Sequence, residues 1–339
     1  MTDMHRNPTA PSPSPLISVI VPSHDEEDSL GALYCALTDA LTARPDIRYE
    51  VIFVDDGSAD GTPEILKRLA SGDDHVVVVT LTRNFGHQAA ITAGLAFAHG
   101  DAVILCDADL QDTPAAMMMM IDRWLMGADV VYGVRNRRKG SIVKRLAYWE
   151  FYRSLRLLAE TDIPLDSGDF GLMDRKVVDA INALPERNRF VRGLRAWVGY
   201  EQAPLAYDRP ARQFGKTKYS IARLLHLALD GILDFSTKPL SLIFCLGIAS
   251  SLLSFTAFIF YVVYPLAGFT IFGRSPADVP GFTSLILAIF FLGGVQLLAI
   301  GVLGEYVGRI YKEVKRRPSF IVKDVKGAQG VPPDDNRSG

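Results

Sequence analysis

Residues 101–112 read DAVILCDADLQD, an apolar run that ends in two carboxylates one residue apart, Asp107 and Asp109. A buried strand would hold both acids rigid, and hard oxygen donors so placed suit Mg²⁺ or Mn²⁺ beside a diphosphate. Such a metal would neutralise a departing phosphate. The same residues also suit a plainer role, because Asp favours turns and helix N-caps and Pro114 follows where a helix could start. Three more polar clusters also follow apolar runs: Ser23-His24-Asp25-Glu26-Glu27, Asp55-Asp56-Gly57-Ser58 and Arg83-Asn84-Phe85-Gly86. Asp56 reads either as half of an Asp-Gly turn or as a site carboxylate at a strand end.

The elements that would carry these clusters are legible. Residues 16–21, 49–54, 75–81, 101–106 and 128–134 are rich in Val and Ile and read as buried strands, with helical patterns between them. Alternation of this kind predicts an α/β domain with a mostly parallel sheet covered on both faces, whose ligands bind beyond the carboxyl ends of the strands. All four polar clusters fall at such ends. No Gly-x-Gly-x-x-Gly follows the first strand and no Gly-Lys-Ser/Thr loop occurs, so the dinucleotide and P-loop readings fail. A sugar nucleotide is the natural remaining ligand. His24 reads as a loop residue, and His87 and Gln88 read as capping and packing the helix that follows. Met117 to Met120 read as helix packing, since consecutive residues cannot share one face.

The chain has 339 residues, 49% of them hydrophobic and 22% charged, with a net charge of -2, a balance that gives no support for nucleic acid as a partner. Cys35, Cys106 and Cys245 lack the spacing of a zinc site or a disulfide framework. Residues 1–15 and about 327–339 read as disordered tails. No charged residue occurs between Lys238 and Arg274, and residues 282–304 are equally uncharged, so each stretch reaches the roughly 20 residues that a membrane-crossing helix needs. Lys216, Lys218, Arg223 and Lys238 precede the first stretch, and Arg309, Lys312, Lys315, Arg316 and Arg317 follow the second. The connecting loop carries only Arg274 and Asp278, which places both ends of the chain in the cytoplasm. A basic, aromatic stretch at about 140–160 and another at 216–237 read as amphipathic helices at the lipid surface, with a soluble packed helix as the alternative for the first.

Four motifs, Val21-Pro22-Ser23-His24-Asp25-Glu26-Glu27, Val54 to Thr62, Arg83 to Ala90 and Asp107 to Asp112, resemble in order and spacing those of family 2 glycosyltransferases with the GT-A fold. Gly168-Asp169-Phe170, Arg189-Phe190-Val191-Arg192-Gly193 and Gly304-Glu305-Tyr306-Val307-Gly308-Arg309 are similar to segments of the bacterial polyisoprenyl-phosphate members, which are related to dolichol-phosphate mannose synthase. The resemblance implies a Rossmann-like GT-A domain over 16–215, a juxtamembrane helix at 216–237, two transmembrane helices within 238–308 and a basic cytoplasmic segment and tail at 309–339. It implies that Glu26 and Asp56 contact the nucleoside and that Pro22 and Ala108 belong to the nucleotide-sugar site. It further implies that Asp107, Asp109 and Gln111 hold Mg²⁺ or Mn²⁺ and the diphosphate, that Arg135 and Arg212 hold phosphates, and that Asp169 is the catalytic base. Arg145, Lys216 and Lys218 are the basic residues expected at the acceptor phosphate. Two departures stand out: His24-Asp25 where the family has Tyr-Asn, and Phe214 where it has Ala.

The expected reaction is inverting transfer of a single sugar to undecaprenyl or another polyprenyl phosphate at the cytoplasmic face of the plasma membrane. UDP-glucose is the default donor; GDP-mannose, UDP-N-acetylhexosamine and UDP-aminoarabinose derivatives are alternatives. A homo-oligomer and coupling to a flippase are expected. A processive polysaccharide synthase fits poorly, since the one Arg-Trp pair, Arg123-Trp124, follows Met120 instead of Gln. A non-catalytic membrane scaffold that binds nucleotide sugars is the remaining rival.

Overall fold

The computed structural model describes residues 14–135, 167–186, 189–207 and 281–327, together with isolated positions between 243 and 259. Two units emerge from the pattern of contacts, one built on residues 1–153, 161–221 and 317–339 and the other on 154–160 and 222–316.

The first unit is an α/β domain. Its strands are β1 (Leu16–Ser23), β2 (Arg48–Asp55), β3 (Val76–Leu81), β4 (Ala102–Leu105), β5 (Val130–Arg135), β6 (Ser167–Asp174), β7 (Gln202–Tyr207) and β8 (Val322–Lys326). They form a single sheet in the order β7-β5-β6-β4-β1-β2-β3-β8. The central strands β4, β1, β2 and β3 are mutually parallel, as the alternation of strands and helices predicts. Beyond this block the sheet is mixed: β6 runs antiparallel to both β4 and β5, and β8 runs antiparallel to β3. All five strands expected from Val and Ile runs are present, with ends within two residues of the expected ones.

The helices are α1 (Leu30–Thr42), α2 (Thr62–Gly72), α3 (His87–Phe97), α4 (Pro114–Leu125), α5 (Arg175–Asn182) and α6 (Val191–Trp197). Leu30, Leu33, Leu37 and Leu41 recur at helical spacing and bury the apolar stripe of α1. With Leu66 of α2 and Met117, Met120, Ile121 and Trp124 of α4, they cover the sheet face that carries Ile17, Val19, Val21, Val51 and Phe53. The other face, with Ile20 and Ile52, is covered by α3, which packs on β1 and β2 and against α5 and α6. Gly94 is the point of closest approach, since a Cβ there would collide with the Ile20 side chain. The methionine run behaves as packing, with Met117 and Met120 buried. Thr113 accepts from the Ala116 amide and caps α4, with Pro114 following at the first helical position.

The strand β8 lies within the 309–339 segment expected to be a basic stretch and tail. It adds an edge strand to the sheet, and Thr82 donates to the Ile321 carbonyl just beyond the pairing. Lys323, Asp324 and Lys326 give this edge the charge that discourages pairing with another chain.

In the second unit the described element is α7 (Gly281–Val314), which contains the second uncharged stretch. Leu285, Ile289, Leu297, Ile300, Leu303 and Ile310 are exposed along it. Several side chains of α7 lie outside the described set, and over the described residues no helix is long and apolar enough to cross a membrane. The first uncharged stretch and the amphipathic helices expected at about 140–160 and 216–237 also lie outside the described residues, apart from the isolated positions between 243 and 259.

Candidate active site

The parallel block reverses direction of growth at β1, whose neighbours are β2 on one side and β4 on the other, and a crevice opens between the loops at such a switch point. Glu26 follows β1 and Asp107 and Asp109 follow β4, so the acids flank this crevice.

The loops after β1 and β2 are clasped together by reciprocal bonds. Ser58 Oγ accepts from the Asp25 amide at 3.1 Å while Asp25 Oδ1 accepts from the Ala59 amide at 2.9 Å. Thr62 Oγ1 accepts from the Glu26 amide at 2.9 Å, and Glu27 Oε2 accepts from the Gly61 amide at 2.7 Å. Asp25 takes a left-handed backbone with φ 53°, a conformation that Asp and Asn tolerate better than most residues. Its neighbour His24 accepts from the Asn84 side-chain amide through Nε2 at 2.9 Å, which joins the first loop to the third. The carboxylate of Glu26 accepts from the Ser29 hydroxyl at 3.1 Å.

Asp56 is 3% exposed and organises the loop after β3: its two oxygens accept from the amides of Phe85, at 2.7 Å, and Gly86, at 2.9 Å. Hydrogen bonds to a charged acceptor contribute about 1.5–3 kcal/mol each, so this carboxylate is a structural tie whatever else it does. Each oxygen keeps a second acceptor lone pair.

At the end of β4, Asp109 is 8% exposed and its Oδ1 accepts from the Gln111 amide at 3.1 Å, across a turn in which Leu110 has φ 59°. Asp112 braces the turn by accepting from the Asp107 amide at 3.3 Å and from the Tyr207 hydroxyl at 2.9 Å. Pro22 and Ala108 are buried beside these acids in their motifs.

The strand β6 brings the next acid. Its pairing between β4 and β5 places Asp169 near the N-terminus of α3, where His87 Nε2 lies 3.5 Å from Asp169 Oδ2 and 3.9 Å from Asp107 Oδ1. One imidazole therefore joins the acid pair to Asp169. Burial pulls the His87 imidazolium down, but hydrogen bonding to Asp169 and the charges of Asp107, Asp169 and Asp56 outweigh it and leave its pKa above the ordinary 6.5. Burial alone would raise the Asp169 pKa; His87, Arg192 and Arg195 reverse this and hold the carboxyl below its ordinary value. Asp169 is thus an anion near neutral pH. Arg195 is 1% exposed, lies 5.6 Å from the Tyr132 ring and is pushed down to about 10 by burial, against the pull of Asp169.

Sequence reasoning missed these neighbours. His87 and Gln88 read as capping and packing residues, yet His87 faces two acids and Gln88 Nε2 donates to Asp169 Oδ2 at 3.3 Å. Arg192 and Arg195 carried a usable signal, because residues three apart share one helix face. Arg135 closes β5 in register with Tyr207. Arg212, Arg145, Lys216 and Lys218 lie outside the described residues.

Among the described residues no group of three or more His, Cys, Asp or Glu is placed to hold a metal ion. Asp107 and Asp109 nevertheless suit a metal shared with a ligand, because Mg²⁺ takes one or two carboxylates and completes its shell with substrate phosphates and water. The donors are hard oxygens, and the turn that carries them is braced by Asp112.

Residues 18–181 match the family described as Glycosyl transferase family 2. An uncharacterized glycosyltransferase of Synechocystis is 44% identical over 93% of this chain and 97% of its own length. A prophage-derived bactoprenol glucosyl transferase of Shigella flexneri is 41% identical over 93% of this chain and 99% of its own. Among solved structures, glucosyl-3-phosphoglycerate synthase from Mycobacterium tuberculosis is 22% identical over 65% of this chain and 76% of that one, at a TM-score of 0.44.

Proposed function

The chain belongs to glycosyl transferase family 2, and from that premise we propose that it moves one sugar from a nucleotide sugar to a polyprenyl phosphate at a membrane surface. The observation that carries the reading is the single imidazole, His87, within 4 Å of both Asp107 and Asp169: the acids suited to a diphosphate and the acid suited to an acceptor share one crevice. The acceptor class is supported by relatives named bactoprenol glucosyl transferase that align over nearly their whole length. Those names also favour glucose, and with it UDP-glucose, over the other donors. Exposed apolar side chains along α7 and the uncharged stretch before it support two membrane-crossing helices that fall in sequence between β7 and β8, with the domain and both termini cytoplasmic.

In this reading Glu26 and Asp56 contact the nucleoside, Asp56 through lone pairs that the loop amides leave open, with Pro22 and Ala108 forming the floor. Asp107, Asp109 and Gln111 hold Mg²⁺ or Mn²⁺ against the diphosphate, assisted by Arg135 and Arg212. When bound, the metal supplies Lewis-acid stabilisation of the diphosphate leaving group. Arg145, Lys216 and Lys218 receive the lipid phosphate. The phosphate oxygen is already anionic near neutral pH, so its attack on the anomeric carbon, from the side opposite the diphosphate, inverts configuration and needs little proton removal. Asp169, itself held ionised, is better suited to orienting the acceptor or taking a residual proton than to strong base catalysis. A homo-oligomer working with a flippase completes the proposal.

Asp109→Ala tests the site. In purified full-length protein, transfer should fall by on the order of 10²–10³-fold, with EDTA doing the same to the wild type, while the thermal melt stays cooperative. Near-normal turnover of a folded Asp109→Ala protein would remove the diphosphate-site assignment.

A further inference from the structure

Gln88 is the second residue of α3, and its side chain spans two other elements. Nε2 donates to Asp169 Oδ2 on β6 at 3.3 Å, and Oε1 accepts from the Val191 amide, the first of α6, at 2.9 Å. A carboxylate only accepts and a backbone amide only donates, so just one orientation of the carboxamide satisfies both partners. A reversed amide would set oxygen against oxygen and NH₂ against N–H. Both partners also need it. The first amides of a helix have no intrahelical acceptor, and Phe190 at the cap of α6 provides no side-chain bond, so Gln88 supplies the acceptor from outside. Asp169 has Oδ2 engaged by Gln88 and His87, while its buried Oδ1 has no hydrogen-bond partner among the described residues.

We propose that Gln88 is a positioning residue for transfer, holding Asp169 by Oδ2 and so fixing the orientation of the carboxylate and its place relative to the basic helix α6. The inference rests on the reading of Asp169 as the acceptor-facing acid. It follows from three observations: a carboxylate tied through one oxygen, a donor of fixed polarity on that oxygen, and a second bond that anchors the donor. No other natural side chain of this length donates at one branch and accepts at the other. Glu keeps the acceptor for Val191 and loses the donor for Asp169, whereas Met keeps the volume and loses both.

These differences define the test. Full-length wild type, Gln88→Glu, Gln88→Met, Asp169→Asn and both double variants are purified in detergent. Each is assayed for transfer from UDP-glucose to undecaprenyl phosphate with Mg²⁺, and thermal melts establish folding. Gln88→Glu and Gln88→Met should each lower kcat by ~10-fold or more with the nucleotide-sugar KM changed less than ~3-fold, and neither should lower it further in the Asp169→Asn background. A folded Gln88→Glu protein with wild-type kcat would overturn the inference and reduce Gln88 to the tie on α6. Should Gln88→Glu not fold, Gln88→Met decides: an equal loss with and without Asp169 overturns the inference. Full activity of Asp169→Asn is a separate failure, since it removes the acceptor-facing role of Asp169 and the inference with it.

Discussion

At the scale of single residues, the site is a balance of charges around one imidazole. His87 is drawn upward in pKa by Asp169, Asp107 and Asp56 against the opposing pull of burial. A group whose folded pKa exceeds its unfolded value stabilises the fold fully below the unfolded value, here near 6.5, and that contribution is lost as pH rises through the folded value. Metal-free wild type should therefore melt above His87→Asn by the widest margin at about pH 5.5, and the margin should close at alkaline pH. A margin independent of pH would mean that the imidazolium does not bind the acids. Asp56 shows how one carboxylate can look like a ligand contact in sequence and prove to be a loop tie as well. The pairing of Asp56 with the amides of Phe85 and Gly86 could not be read from the Asp-Gly turn signal, because it depends on a loop from the neighbouring strand.

At the scale of elements, the loops beyond the parallel strands are held by backbone geometry as much as by side chains. Gly57 has φ 67°, and a Cβ there would lie 2.5 Å from the Arg83 carbonyl carbon, so the loops after β2 and β3 meet backbone to backbone. Gly57→Ala should cost about 1–3 kcal/mol in strain alone, read as a lowered unfolding midpoint, and should reduce transfer with it. An unchanged midpoint would show that the loops are looser than their bonds imply. The strands β1 to β5 were legible because Val and Ile runs buried on both faces leave few other options. In contrast, β6 has the sequence SGDFGLMD, with two glycines and two acids, and carries no strand signal of its own. It is a strand because β4 and β5 flank it, and that tertiary pairing delivers Asp169 to a residue 81 positions earlier in the chain, Gln88. The sequence VKDVK of β8 was hidden for the same reason.

At the scale of the whole molecule, the domain's sheet is completed from both sides of the long apolar segment: β1 to β7 precede it and β8 follows α7. Truncation after Arg317 removes β8 and bares the paired edge of β3, so the shortened protein should show a lower melting temperature and more aggregate on size exclusion. A monodisperse truncation with the wild-type melt would make β8 dispensable. The central claim is the reaction itself. The most direct test incubates purified full-length protein with undecaprenyl phosphate, Mg²⁺ and, one at a time, a panel of nucleotide sugars, and weighs the extracted lipid by mass spectrometry. The account predicts a lipid heavier by one sugar residue from a single preferred donor, UDP-glucose, and none in the presence of EDTA. A lipid of unchanged mass with every donor, from protein that still binds the nucleotide sugars, would contradict it.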